Sequence, residues 1–252
     1  MLLRYIDTKS IVCGGLAIAL ALTLPAPAKA GIAEDKCRTQ NEYLKLDSPL
    51  PGLALRLKGH EELRILAAGS SSTQGHGASK PELAYPAQLQ KDLERRYPQL
   101  PVAVNNIGVG GTVARDAVDQ FRLQLPAWGP HLVIWQVGAN DAMRKVPIRE
   151  FEAALDAGLN MLNEAGVETV LMPPQYAPMV EQANNVDEYL VAINTAAVLH
   201  NVAVFRRYEI TKALDGGKGL MKDYLIEDGL HHNDLGYHCL ALQLGAALVG
   251  DY

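Results

Sequence analysis

Leu63-Arg-Ile-Leu-Ala-Ala-Gly69-Ser-Ser-Ser-Thr-Gln-Gly75 is the stretch whose reading decides the fold. The apolar run Ile65 to Ala68 stops at Gly69, and three hydroxyls follow at Ser70, Ser71 and Ser72. A buried strand ending in glycine and small hydroxyl residues, with a helical pattern beyond it, puts those hydroxyls in an exposed turn. In an open α/β sheet such a turn lies at the carboxyl edge of the strands, where ligands bind. A serine hydroxyl there becomes a nucleophile only if a base takes its proton and another group orients the base. Asp228-Gly-Leu-His231 offers both. Between the two stretches lie Asn106-Ile-Gly-Val-Gly-Gly111 and Gly138-Ala-Asn140-Asp141, each directly after an apolar run.

Outward from the serine turn, the chain alternates strand and helix patterns. Strands are expected at Leu63–Ala68, Val102–Asn105, Leu132–Val137, Thr169–Met172 and Val202–Phe205, the third apolar nearly throughout as a central parallel strand should be. Helical spacing marks Tyr85–Tyr97, Thr112–Leu125, Pro147–Glu164, Glu188–His200 and Asp234–Val249, with Pro126 and Pro130 bracketing a turn. Residues 206–232 read as mostly loop. Alternating strands and helices imply a parallel three-layer α/β sheet. Right-handed crossovers then place every β-to-α turn on one edge, so the four polar clusters can converge.

The 252 residues suit one core, and no repeat or low-complexity segment interrupts them. A net charge of −5, with no run of Lys and Arg, argues against nucleic acid as a partner. Residues 1–30 read as a secretory leader: Arg4 and Lys9, an apolar run from Ile11 to Leu24, and Ala28-Lys29-Ala30 as a small-x-small cleavage site. The run is shorter than the ~20 residues of a membrane span. Export to the periplasm or beyond, with cleavage after Ala30, is therefore expected, leaving no stable membrane span. Residues 31–60 read as a polar, proline-punctuated arm with a short helix near 41–46, and 61–252 as the domain proper. Cys37 and Cys239 remain after cleavage, either paired across the domain or as one buried and one exposed thiol.

The spacing of three between Asp228 and His231 lets the imidazole donate one ring N–H to the carboxylate and keep its other nitrogen for a serine proton. His231 and His232 raise a metal reading with Asp228. No third His or Cys stands at zinc spacing, and adjacent residues seldom face one ion, so no metal is expected. His76 and His238 read as pocket-edge and surface residues. The glycine cluster has Val113 where a dinucleotide fingerprint needs its third glycine, and no P-loop lysine follows, so no nucleotide cofactor is implied. Its use would be an open backbone N–H at Gly111, with the Asn140 amide as a second donor to an oxyanion. In isolation, Asn140-Asp141 also fits a helix N-cap.

Together Gly69-Ser-Ser71-Ser-Thr73, Gly111, Gly138-Ala-Asn140-Asp141 and Asp228-Gly-Leu-His231 resemble the four blocks of the GDSL, or SGNH, hydrolase family, spread from Ile65 to Asn233. The resemblance implies a flavodoxin-like fold with five parallel strands. It implies Ser71 as nucleophile, His231 and Asp228 as the rest of a triad, and an oxyanion hole of the Ser71 N–H, Gly111 and Asn140, with no cofactor. Two positions depart from the family: Ser70 replaces an aspartate, and His232 follows the histidine where proline is usual. An ordinary α/β-hydrolase would need glycine where Thr73 stands.

The resulting expectation is an exported serine esterase acting on short acyl esters, with an acetylated polysaccharide as substrate class. Met143, Tyr176 and Met179 are candidate acyl-pocket walls. The alternatives are a lysophospholipase, thioesterase or arylesterase, and, in another class, a non-catalytic binder of acylated glycans.

Overall fold

A computed structural model describes residues 35–217 and 219–250, so the leader expected over 1–30 lies outside the described residues. Five strands form one sheet: β1 (Leu63–Ala68), β2 (Val102–Asn106), β3 (Leu132–Gln136), β4 (Glu168–Met172) and β5 (Ala203–Val204). All neighbours pair parallel, in the order β2-β1-β3-β4-β5. The helices are α1 (Asn41–Leu44), α2 (Pro51–Gly59), α3 (Ser71–Gln74), α4 (Tyr85–Arg96), α5 (Ala114–Trp128), α6 (Ala139–Met143), α7 (Ile148–Glu164), α8 (Pro178–Glu181), α9 (Val186–His200), α10 (Arg207–Asp215) and α11 (Asp234–Val249). The order reverses at β1, between β2 and β3, and ligands of open α/β sheets bind at such a switch.

Both faces of the sheet are covered, which is why its strands lack polar alternation. Leu63, Ile65, Ala67, Leu132 and Ile134 point to one layer, built on α2, α4 and α11. Leu66, Ala68, Val133 and Trp135 point to the other, built on α5, α7 and α9. The period-two separation of side chains is intact beneath a uniformly apolar surface pattern. Trp135 fits because α7 has Gly158 opposite it: a Cβ there would stand 2.5 Å from the indole Cη2.

Some expectations from sequence change. The helix expected to stop at Leu125 continues through Pro126 to Trp128 and ends at Gly129, which adopts a left-handed φ of 59°. Proline in the last turn forfeits a single backbone hydrogen bond, and the shape of the helix survives. Within the stretch read as loop, Arg207–Asp215 is helical, anchored by the buried Tyr208 and Ile210. The arm packs into the domain: Leu44, Leu53 and Leu57 enter the core. The N–H groups of Gly52 and Leu53, at the start of α2, each donate to the Glu168 carboxylate at 2.7 Å, the favoured charge for a helix N-terminus. Of the two cysteine readings, pairing holds: Cys37 is disulfide-bonded to Cys239 on α11.

Candidate active site

The serine turn is shaped by contact. Gly69 closes β1, and a Cβ there would stand 2.4 Å from Thr73 Oγ1 and 2.7 Å from Gln136 Oε1. Gln136, the buried last residue of β3, sits opposite the turn. Its carbonyl oxygen accepts from the Ser70 N–H at 2.8 Å, the Ser70 hydroxyl at 2.9 Å and the Thr73 hydroxyl at 3.3 Å. Ser70, standing at the family's aspartate position, is thus buried and neutral, tied to an amide. The next residue, Ser71, begins α3 with its hydroxyl facing outward.

That hydroxyl lies 2.7 Å from Nε2 of His231, across a sequence separation of 160. On the far side of the imidazole, Nδ1 is 2.6 Å from Asp228 Oδ2. Asp228 Oδ1 accepts the backbone N–H groups of Leu230 at 2.9 Å and His231 at 3.0 Å. Burial pushes the Asp228 carboxyl up, but the His231 ring, these backbone donors and the histidine charge together hold it below its ordinary value. An ionised carboxylate at Nδ1 fixes the tautomer with the proton there, leaving the Nε2 lone pair for the serine.

Several contacts clamp the histidine loop against the serine loop. Leu225 and His232 form an antiparallel bridge, and Ile226 N donates to His231 O at 2.9 Å. Ser79 donates to Asp234 through its N–H at 2.8 Å and its hydroxyl at 2.6 Å. The Tyr237 hydroxyl donates to His76 O at 2.6 Å. Gly77 allows the closest approach, since a Cβ there would stand 2.4 Å from His232 O.

The glycine cluster packs directly behind Ser71. A Cβ on Gly108 would meet Gln74 N at 2.3 Å, and one on Gly110 would stand 3.8 Å from Ser71 Cβ. The Gly110 N–H is taken by Gln74 Oε1 at 3.0 Å. The N–H groups of Ser71 and Gly111 donate to no acceptor among the described residues. Asn140 joins through Thr112, whose carbonyl accepts one amide N–H at 2.8 Å while the Thr112 hydroxyl donates to Gly69 O at 3.2 Å. The second N–H of the Asn140 amide remains for a ligand. As an N-cap it plays no part, because it lies inside α6, which begins after Gly138.

Asp228, His231 and His232 do not face a common point. His232 turns into the core, where burial, with the Arg207 and His231 charges adding, pushes its pKa down to about 3. His76 instead joins Asp228 and His231, with one ligand atom from each within 4.8 Å of the others, and its ring stands edge-on to His231 at 4.4 Å between centroids. Two of those three groups already hold each other in the hydrogen-bonded chain to Ser71. Of the expected pocket walls, Tyr176 lines a cavity of about 550 Å³ with Pro178, Met221 and Leu225, behind the Asp228 loop. Met179 is 42% exposed and does not line it. Met143 is half-buried at the end of α6. Sequence reasoning missed Gln136, although a glutamine closing an otherwise apolar strand was a visible signal. It also missed Gln74, which takes the Gly110 N–H.

The sequence matches the Non-GDSL lipase-like family over residues 36–250. No curated protein matches it. Among solved structures, it is similar to a two-domain esterase, CEX, active on acetylated mannans, with a TM-score of 0.68 and 22% identity. That match covers 84% of this chain, which spans only 56% of the esterase's length. A variant of Axe2, an acetyl-xylooligosaccharide esterase from Geobacillus Stearmophilus, aligns at 22% identity with a TM-score of 0.61, over 74% of this chain and 94% of its own. The psychrotrophic esterase EstA from Pseudoalteromonas sp., in a structure inhibited by monoethylphosphonate, aligns at 20% identity with a TM-score of 0.60, over 73% and 96%. At such identities the likeness is one of fold. The chain belongs to the Non-GDSL lipase-like family and has the fold of the SGNH ester hydrolases.

Proposed function

We propose that the protein is an exported serine esterase that removes short acyl groups, acetyl foremost, from a sugar-borne ester. The observation that carries this reading is the hydrogen-bonded chain Ser71 Oγ, His231 Nε2, His231 Nδ1, Asp228 Oδ2, at 2.7 and 2.6 Å. His231 Nε2 takes the Ser71 proton as Oγ attacks the ester carbonyl. The resulting oxyanion receives the Ser71 and Gly111 N–H groups and the free N–H of Asn140. Collapse breaks the bond to the alcohol, which leaves with the proton from Nε2. Water, deprotonated by the same nitrogen, then attacks the acyl-enzyme and frees the acid, returning the proton to Ser71.

One observation favours the substrate class. Two neighbours of the same fold act on acetylated mannan and acetyl-xylooligosaccharide. Export rests on the leader pattern and agrees with a disulfide, a bond typical of oxidising compartments. Ser71→Ala and His231→Ala should each abolish turnover of p-nitrophenyl acetate while circular dichroism stays that of the wild type. Wild-type rates in either variant would refute the assignment. Mass spectrometry after organophosphonate treatment should place the label on Ser71, whereas a non-catalytic binder would stay unlabelled. A peak at eight or more carbons in a chain-length series would replace acetyl with a lipid-type acyl group.

A further inference from the structure

The short helix that carries Asn140 ends in a cation. Arg144 follows α6, its N–H bonded to Asn140 O at 2.9 Å, and Lys145 turns the chain with a left-handed φ of 55°. From there the Arg144 side chain reaches back over the glycine cluster. Its Nη2 lies 2.9 Å from the point where a Cβ on Gly111 would stand. That is the Cα side of Gly111 rather than its N–H, so the guanidinium borders the oxyanion position without occupying it.

The Arg144 side chain is exposed and makes no hydrogen bond, ion pair or ring contact among the described residues. This is unusual for a chain with 28 acidic against 23 basic residues. Arg95 and Arg122 each find a carboxylate three residues away on their own helix. Arg144 has Asp141 at the same spacing, a separation that ordinarily permits pairing. Asp141 is buried, however, and spends Oδ1 on the Ala114 N–H at 3.0 Å. The fold therefore holds a guanidinium at the rim of the acyl site and turns its natural partner inward.

We propose that Arg144 is a substrate-anion subsite, selecting esters that carry a carboxylate a few bonds from the acyl carbonyl, as on an O-acetylated uronic acid residue. The inference rests on the esterase reading and names the sugar. A guanidinium offers paired N–H donors in the fork geometry that a carboxylate accepts, and it keeps its charge at any working pH. Phosphate presents the same fork, so a phosphorylated sugar is the competing source of the anion.

The test compares kcat/KM for three monoacetylated probes: methyl glucoside, methyl glucuronide with a free carboxylate, and glucose phosphate. The wild-type enzyme should prefer the glucuronide over the neutral glucoside by about 5-fold at low ionic strength, the size of an exposed ion pair. The preference should fall towards unity in about 0.5 M salt. Arg144→Gln should bring the ratio to near one, and Arg144→Lys should retain part of it. A wild-type ratio of one, or a ratio unchanged in Arg144→Gln, would overturn the proposal; the second result would mean that Arg144 acts on both esters alike. Preference for the phosphate over the glucuronide would overturn the assignment to a uronic acid. Failure to hydrolyse any probe, with Ser71 unlabelled by phosphonate, would instead strike the triad beneath it.

Discussion

Gln136→Leu is the substitution that best tests how the Ser71 turn is held. Leucine fills nearly the same volume, but the acceptor shared by Ser70 N–H, Ser70 hydroxyl and Thr73 hydroxyl disappears. Thr73 keeps the Tyr85 hydroxyl at 3.2 Å as a partner. Ser70 is 5% exposed, so its backbone N–H cannot turn to water. An orphaned buried donor costs about 1–3 kcal/mol, and a lost hydroxyl bond about 1 kcal/mol more. The expected destabilisation is therefore about 2–4 kcal/mol, which lowers Tm by roughly 5–15 °C in a domain of this size. Activity should fall as well, by about 10-fold or more, because Ser71 is bonded in sequence to the residue that moves and misplacement of reacting groups is costly. Thermal unfolding and kcat/KM on p-nitrophenyl acetate read the two effects. Ser70→Ala alone removes the hydroxyl and spares the N–H. The double-mutant cycle with Gln136→Leu should thus show a coupling of about 1 kcal/mol. A Gln136→Leu protein melting within about 2 °C of wild type would refute the reasoning, because the unmatched N–H alone should cost more than that.

Two further outcomes follow from the site. In Asp228→Asn the side-chain oxygen can still accept the Leu230 and His231 N–H groups, but an amide N–H then faces His231 Nδ1 and drives the ring proton to Nε2. The expected loss in kcat is on the order of 10³-fold or more with Tm nearly unchanged, and a loss below about 10-fold would contradict the tautomer argument. Stability should also fall as pH drops below neutrality. The unfolded chain binds a proton at His232 from about pH 6.5 downward, whereas the native imidazole refuses it until about 3, so the unfolded state holds more protons across that window. Between the unfolded value and pH 5 the native state loses about 2 kcal/mol on this account. Asp228, with its native pKa lowered, adds a loss of the same sign at lower pH, beneath the ordinary carboxylate value. His232→Phe should flatten the dependence of Tm on pH between 7 and 5, and an equal slope in both proteins would refute a buried neutral histidine.

What sequence made legible was whatever topology alone decides. Each of the strand-like runs became a strand of one parallel sheet, because burial on both faces leaves a continuous apolar signature. Short apolar runs stopped by glycine and hydroxyl residues marked the carboxyl edge, and Ser71, Gly111, Asn140 and Asp228 with His231 all sit on its loops. What demands glycine at 108 is contact with Gln74 N and Thr73, a crowding that spacing cannot display. Arg207–Asp215 was missed as a helix for a related reason. Its buried face includes Arg207, 0% exposed, with Nε donating to Pro173 O at 2.7 Å, and a charged residue reads as surface until its partner is known. The same holds for His232, whose place beside His231 only raises a metal reading in the sequence and which is a core residue.

The order of the strands delivers the serine and histidine loops to one edge, but a strand spacing of about 4.8 Å is too coarse to set a proton-transfer distance. The last ångström comes from the loops themselves. Ser79 on Asp234, Tyr237 on His76 O and the bare Gly77 against His232 O form a seam beside the Ser71–His231–Asp228 chain of hydrogen bonds, and none of the three is part of that chain. Asn233 closes the seam from below by capping α11 through the Gly236 N–H at 3.0 Å while its amide bonds Asp223 O at 2.9 Å. The imidazole is thereby fixed to the start of a long helix packed into the core, and the hydroxyl to the end of a buried strand. Both side chains hang on rigid elements by one short tether each, so the Ser71–His231 geometry is a property of how the β1 and α11 loops are stitched together. The two departures from the family pattern fit that account: Ser70 anchors one loop through Gln136, and buried His232 anchors the other.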